Sequence, residues 1–311
     1  MPKQQKDADI FDRSFKKIIG GLSSKALIRL INGLFGSNHP PDSEVRRLNT
    51  EQISESLKKR LCDEIVSVAG QKYVIEEQTT GDANMAIRIF EYGYAEALSD
   101  RETKDGVILL PFPRMIVVYL EAGRAAPDVL TVRMKFPDGA EHDFSVKTLK
   151  LLDYSVEELA ERGLAALLPF RIIRLRKSAC KAGSDAEKSR AEAEFKELAL
   201  KIKDAIECGA GEGQFSDEDI VTLLERLSRL AEYAGGEYKT VTEVKKVLDT
   251  SLMGYGQALA LKYRQEGEEK GKLEGKLEDA RNALNEGLSV EQTARITGIP
   301  THELKKRLVS G

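Results

Sequence analysis

The first part of the chain alternates between helical and extended hydrophobic patterns. Residues 9–19 carry apolar side chains at helical spacing and stop at Gly20-Gly21, which predicts a short amphipathic helix. A serine at position 23 or 24 can cap a second helix, whose broad apolar stripe ends at Gly36. The composition of the following SNHPPDS predicts a loop.

Residues 58–79 change to short runs rich in Val, Ile and Tyr, broken at Ala69-Gly70, which predicts a β-hairpin. Helical spacing returns from Asp82, the predicted cap, to about residue 103. Residues 107–120 then predict a buried strand that two prolines interrupt. Segments 130–136 and 144–152, on either side of a Pro-Asp-Gly turn, predict a second hairpin. This part of the chain is therefore expected to be mixed α/β.

Beyond residue 170 the composition shifts to Ala, Glu, Lys and Leu, and no strand signal returns. Residues 184–206 and 217–233 predict capped helices. Three glycines recur every four residues in EGEEKGKLEGKLEDA, and the cost of interior glycine favours a flexible connector over a helix. We expect three parts: a first domain over 9–178, a helical region over 184–262, and a helical tail over 263–311.

The tail ends in a pattern typical of a small helix-turn-helix. Helical segments 290–297 and 301–308 are separated by Gly298-Ile299-Pro300. Its basic side chains could meet DNA phosphates, while a tail that mediates homo-oligomerisation or docking is an equal alternative. These basic residues are Arg295, Lys305, Lys306 and Arg307.

Charge and cysteine content narrow the function classes. The chain has 48 Lys+Arg against 51 Asp+Glu, a net charge of -3, so any nucleic-acid contact must come from a local basic patch. The scattered Cys62, Cys180 and Cys208 lack the spacing of a zinc site or redox pair. With no apolar leader and no long uncharged run, we expect a cytoplasmic protein with reduced thiols and no membrane segment.

Two carboxylates of the first predicted hairpin are the main candidates for chemistry. If Ala69-Gly70 forms a two-residue turn, Val68 pairs with Gln71 and Asp63 stands opposite Glu76. Opposed carboxylates repel each other unless a cation lies between them. Magnesium prefers a few carboxylates together with waters and phosphate oxygens, and manganese would be tolerated. The spacing therefore indicates a metal site formed by Asp63 and Glu76.

Strand alternation places Glu76 and Gln78 on the face of Asp63 and leaves Glu64 and Glu77 on the other. Two alternatives stay open. Acidic residues on strands often form only a solvated face, and Glu64 with Glu77 could be the functional pair, although their face is rich in apolar residues typical of a core. A slip of one residue in the turn would exchange the faces.

Five segments in this order resemble a known family: FDRSFKKIIG, RLCDEIVSVAGQKYVIEEQTT, NMAIRIFEYGYAEAL, LLPF and GLSVEQTARITGIP. They are similar to the Rpn family of recombination-promoting nucleases or putative transposases, within the PD-(D/E)XK superfamily. The resemblance covers most of residues 9–175 and about the last 30 residues. It implies an α/β, restriction-endonuclease-like core with a mixed sheet flanked by helices, followed by an all-helical C-terminal extension.

The resemblance also implies the chemistry. Asp63 matches the hairpin aspartate of the family, Glu76 matches the acidic residue of an E-x-Q motif, and Gln78 falls where related motifs carry a lysine. Glutamine brings hydrogen bonds but no charge, so water activation would fall mainly to the metal. The implied activity is a magnesium-dependent endonuclease acting on DNA. The alternative is a nuclease-fold protein without catalysis that binds DNA or another protein.

Further positions carried over from the family have two interpretations each. Asp12 could add a carboxylate to the site, or only favour the amino terminus of its helix. Arg88 and Tyr92, four residues apart, could position phosphate or could brace their helix against the sheet.

Overall fold

The structure is a computed structural model. It describes residues 3–48, 51–54, 57–79, 81–82, 84–121, 126–176, 184–236 and 238–306, and the side chains of 3–9 and 51–61 lie outside that description. The chain divides into two compact units, residues 1–253 and residues 254–311. The first unit thus includes the sheet together with most of the predicted helical region 184–262.

The helices of the described residues are α1 (Lys3–Gly21), α2 (Ser24–Phe35), α3 (Met85–Ser99), α4 (Val156–Glu161), α5 (Asp185–Gly211), α6 (Asp217–Gly235), α7 (Thr240–Asn285), α8 (Val290–Thr297) and α9 (Thr301–Leu304). Two 3₁₀ helices cover Leu151–Asp153 and Ala165–Leu175. The strands are β1 (Val45–Arg47), β2 (Glu51–Ser54), β3 (Leu57–Leu61), β4 (Glu64–Val68), β5 (Gln71–Gln78), β6 (Glu102–Lys104), β7 (Val107–Leu109), β8 (Arg114–Tyr119), β9 (Val129–Lys135) and β10 (Glu141–Lys150).

Six of these strands form a mixed sheet in the order β1-β4-β5-β8-β10-β9. Strand β5 pairs antiparallel with β4 and parallel with β8, while β10 pairs parallel with β8 and antiparallel with β9. Helix α3 contacts β9 and β10, whereas α1 contacts β4 and α2 contacts β8. The chain therefore has an α/β fold, with a mixed sheet flanked by helices and a helical C-terminal region.

Apolar side chains bury both faces of this sheet. On the α3 face, Ile65, Val74 and Val117 pack with Met85 and Ile89 of the helix. The residues at alternate strand positions point to the opposite face. There the sheet buries Val66, Val68, Tyr73, Ile75, Ile116 and Val118.

Both predicted hairpins are confirmed. Ala69 and Gly70 adopt positive φ angles of 49° and 82°, as a tight turn between β4 and β5 requires. Val68 pairs with Gln71 and Glu64 with Ile75, which is the predicted register. The second hairpin joins β9 and β10. Gly36 closes α2 in the left-handed conformation, and Ser184 and Ser216 cap α5 and α6 through capping boxes.

Two local predictions are wrong, and a third is wrong in part. Pro111 and Pro113 interrupt the strand expected over 107–120, as predicted, but only β8 after them is buried, whereas β7 before them is exposed. Helix α3 begins at Met85 with Asn84 as its cap residue, and Asp82 instead accepts a hydrogen bond from the backbone N–H of Asn84 at 2.8 Å. The glycines at 267, 271 and 275 lie inside the 46-residue helix α7, because good helix formers surround them.

The second unit ends in the predicted helical pair. Helices α8 and α9 are separated by Gly298, which adopts the left-handed conformation, and Ser289 caps α8. Ala280 of α7, Ile299 and Leu304 form a small core of buried residues. Arg295, Lys305 and Lys306 are exposed, and Arg307 lies outside the described residues.

In the part of the chain that the structure describes, no helix by itself has the length and apolar character needed to span a membrane, and only the bent pair of residues 10–21 and 24–35 meets both conditions together.

The structure describes two of the three cysteines. Cys62 is buried and Cys208 is exposed, and both are in the thiol form, while Cys180 lies outside the described residues.

Candidate functional site

The site begins at the residue that precedes β4. Asp63 lies in a bend between β3 and β4, so strand alternation does not fix the direction of its side chain. Asp63 Oδ2 accepts a hydrogen bond from the backbone N–H of Glu77 at 2.7 Å, and the N–H of Asp63 donates to Glu76 Oε2 at 3.2 Å. Asp63 therefore contacts two successive residues of β5.

The Asp63 carboxylate belongs to a group of three acidic side chains. Oxygen atoms of Asp12, Asp63 and Glu77 all lie within 4.8 Å of one another. Asp12 comes from α1 and is half-exposed, whereas Glu77 on β5 is buried. We call these three residues the acidic cluster. Carboxylate oxygens at such distances are donors that suit magnesium or manganese.

A lysine of α1 also reaches the acidic cluster. Lys16 Nζ lies 2.6 Å from Asp12 Oδ1 and 3.2 Å from Asp63 Oδ1. Lys16 and Asp12 are four residues apart, so they lie on the same side of the helix. One ammonium group thus partly balances three carboxylates.

Glu76 has a different partner. Its Oε1 accepts a hydrogen bond from Arg88 Nη2 of α3 at 2.6 Å, and Arg88 Nη1 lies 3.4 Å from Asp82 Oδ2. The Glu76 side chain is only 1% exposed. Alternation along β5 places Gln78, which is half-buried, on the same face. The prediction that Asp63 shares this face is wrong for its carboxylate, because Asp63 lies before the strand begins and turns toward Glu77.

Burial raises the pKa values of the acidic side chains at this site. Burial and the charge of Asp63 raise the pKa of Glu76 to about 8, although Arg88 opposes the shift. Burial and Asp63 likewise raise the pKa of Glu77 to about 8. Burial also raises the pKa of Asp63 itself, against the hydrogen bond from Glu77 and the charge of Lys16. Glu76 and Glu77 therefore keep their protons to a higher pH in the folded protein than in the unfolded chain.

Glu64 and Glu77, the alternative functional pair, have different partners in the structure. Both are buried on the α1 face, as their strand positions predict. Glu64 Oε1, however, accepts from Arg47 Nη1 at 2.5 Å, and Arg47 Nη2 donates to the Leu22 carbonyl at 2.8 Å. Glu64 thus has a structural partner, whereas Glu77 joins Asp12 and Asp63.

The other predicted positions have clear locations. Asp12 is the tenth residue of α1, too far from the helix amino terminus for the electrostatic role considered for it. Arg88 braces α3 against β5 through Glu76, and Tyr92 is buried in the core and hydrogen-bonded to Arg88. In the structure, Arg88 thus performs the bracing role.

Sequence reasoning missed Lys16 as a site residue and placed Glu77 on the core side. The spacing of Asp12 and Lys16 was a usable signal, since residues four apart on a helix can share a partner. Spacing alone could not identify Glu77 as a site residue. Its contact with Asp63 arises because Asp63 lies in a bend, where strand alternation does not set the direction of the side chain.

Comparisons of this chain with models of protein families, with curated proteins and with solved structures find no match.

Proposed function

We propose that this protein is a metal-dependent endonuclease that hydrolyses phosphodiester bonds of DNA, with the PD-(D/E)XK type of site. The single observation that carries the proposal is the convergence of Asp12, Asp63 and Glu77 within 4.8 Å beside the mixed sheet. When all three carboxyl groups are ionised, the single ammonium group leaves a net negative charge, which a divalent cation would neutralise.

Asp63 has the central position in this scheme. It would hold the metal together with Asp12 and Glu77, and Glu76, the ligand expected from the hairpin, adjoins Asp63 through a hydrogen bond of 3.2 Å. When bound, magnesium or manganese would lower the pKa of a coordinated water and polarise a phosphoryl oxygen. Gln78 offers an uncharged amide that can orient the attacking water by hydrogen bonding.

DNA as the substrate is supported by the resemblance to recombination-promoting nucleases. The net charge of -3 provides no general attraction for a polyanion, so binding would depend on the metal and on local cations. The exposed Arg295, Lys305 and Lys306 of the helical tail are candidate phosphate contacts. Association of two chains through the C-terminal helices remains part of the proposal.

A second candidate function is a nuclease-fold protein that binds DNA or protein without cleaving it. The observation that favours it is the pairing of Lys16 with Asp12 and Asp63, together with the Arg88–Glu76 ion pair. These cations stabilise the carboxylates without a metal. The acidic cluster nevertheless has three carboxylates to one ammonium, and for this reason we favour the enzyme.

A plasmid-nicking assay in magnesium and in manganese tests the proposal. Wild type is expected to nick supercoiled DNA, and Asp63→Asn is expected to lose at least about 100-fold in rate, because it removes the carboxylate shared by the whole site. Asp143→Asn is the matched control: Asp143 is exposed on β10 and pairs with Arg133. Equal nicking by wild type and Asp63→Asn, or none by wild type, would refute the endonuclease.

A further inference from the structure

Lys16 is held by the two carboxylates that a metal would need. Its ammonium group contacts both Asp12 and Asp63, and its side chain is 43% exposed. Asp63, in contrast, is only 9% exposed. Lys16 therefore reaches from solvent into the acidic cluster along a flexible four-carbon stem that can adopt other rotamers.

Two other cations of the described residues contact neighbouring carboxylates, and they have different partners. Arg47 binds Glu64 and the Leu22 carbonyl, and Arg88 binds Glu76 and Asp82. Neither Glu64 nor Glu76 belongs to the acidic cluster. A metal bound to the acidic cluster would leave those ion pairs in place, and among these three cations only Lys16 would lose its partners.

A displaced ammonium group needs a new acceptor close by. A phosphodiester that approaches a metal held by Asp12 and Asp63 brings anionic oxygens within reach of the Lys16 side chain. Charge-assisted hydrogen bonds to such oxygens are among the stronger polar interactions. The same side chain can therefore neutralise the empty cluster and bind the substrate in the loaded one.

We propose that Lys16 is a catalytic residue of the endonuclease, whose ammonium group moves from Asp12 and Asp63 to a non-bridging oxygen of the scissile phosphodiester. The inference rests on the proposed function. Water attacks phosphorus, the bond from phosphorus to the leaving oxygen breaks, the leaving oxygen takes a proton from solvent, and the attacking water releases one to solvent. Lys16 stabilises the negative charge on the phosphoryl oxygens and remains protonated throughout.

The test combines manganese binding with cleavage. Lys16→Met keeps the length of the side chain and removes its charge, and Lys17→Met is the matched control, since Lys17 is the next exposed lysine of α1. In equilibrium titrations of the full chain, Lys16→Met is expected to bind manganese several-fold more tightly, because the competing ammonium group is gone. At saturating manganese, its cleavage rate is expected to fall about 100-fold, the usual loss for a charge-stabilising donor.

Lys16→Arg keeps the charge and thereby the fold, and is expected to cleave at a rate between those of wild type and Lys16→Met. Lys16→Gln, which removes the charge but keeps hydrogen-bonding atoms, is the test if Lys16→Met does not fold, and the same loss of rate is expected for it. Wild-type cleavage by Lys16→Met, or by Lys16→Gln when Lys16→Met is unfolded, would overturn the assignment and leave the endonuclease intact. Unchanged manganese affinity in Lys16→Met would overturn the exchange of partners. A wild type that cleaves no DNA would refute the proposed function, and this assignment with it.

Discussion

The backbone N–H of Glu77 donates a 2.7 Å hydrogen bond to Asp63 Oδ2. This bond holds the Asp63 carboxylate beside the second of two consecutive glutamates, on the side where α1 supplies Asp12. Glu76 points to the other face and pairs with Arg88. The two glutamates therefore have different partners although they are neighbours in sequence, so we expect their substitutions to have different effects.

Glu77→Gln is expected to weaken manganese binding more than Glu76→Gln, by about tenfold or more. Glu77 belongs to the acidic cluster, whereas Glu76 lies outside it and pairs with Arg88. Equilibrium titration with manganese measures both affinities. If Glu76→Gln weakens binding and Glu77→Gln does not, the ligands are Asp63 and Glu76, as the hairpin register alone predicted.

The melting temperature of the metal-free protein is expected to fall as the pH rises from about 5 to about 8. Glu76 and Glu77 have folded-state pKa values of about 8, above those of unfolded glutamate, so the folded state binds more protons in this window. The stability that these two protonated groups contribute is therefore greatest near pH 5. It is lost as the pH rises through their folded-state pKa values.

Thermal unfolding in a chelating buffer at several pH values measures this effect. For each carboxyl group, the stability lost is at most about 1.4 kcal/mol for every pH unit between its unfolded and folded pKa values. Glu77→Gln should flatten the dependence, and added manganese should restore stability at pH 8. A melting temperature that rises steadily from pH 5 to pH 8 would contradict the arrangement.

Arg88→Ala is expected to destabilise the protein by about 3 kcal/mol at a pH above the pKa of Glu76, because it leaves a buried carboxylate without its cation. The loss should be smaller at pH 6, where Glu76 is protonated. Denaturant unfolding at both pH values provides the measurement. Glu76→Gln combined with Arg88→Ala should recover much of the loss, and equal losses in the single and double variants would show that Arg88 acts through other contacts.

Gly33→Ala is expected to destabilise the first unit by about 1–3 kcal/mol. A Cβ atom at this position would clash with the carbonyl oxygen of Arg162 and lie 2.9 Å from Leu164 Cδ2, and the backbone atom cannot rotate away. Denaturant unfolding again measures the change. Stability equal to wild type would mean that α2 does not approach residues 162–164 this closely.

Gly271→Ala is the matched glycine substitution in a helix of the second unit. A Cβ atom there meets nothing within 4 Å, so alanine should stabilise α7 by about 0.5–1 kcal/mol through its higher helix propensity. Increased helix content by circular dichroism checks this expectation. A loss of helix content would support the connector that the glycine spacing first indicated.

Local patterns in the sequence determined the regular elements. The alternating residues and the Ala69-Gly70 turn determined the β4–β5 register, and the serine caps determined where α5 and α6 begin. These features depend on residues close in sequence, so their backbone geometry can be inferred without the rest of the chain. The hairpin register also identified Asp63 as a candidate site residue, whereas Asp12 was a candidate only through the family resemblance.

Only the tertiary structure decided which side chains meet. Lys16 and Asp12 reach Asp63 because α1 packs on β4, and no local pattern specifies that approach. Asp63 turns to Glu77 because it stands in a bend, where strand alternation no longer governs its direction. Sequence spacing fixes the face of a residue inside a regular element, whereas packing between elements fixes the partners of a residue at its end.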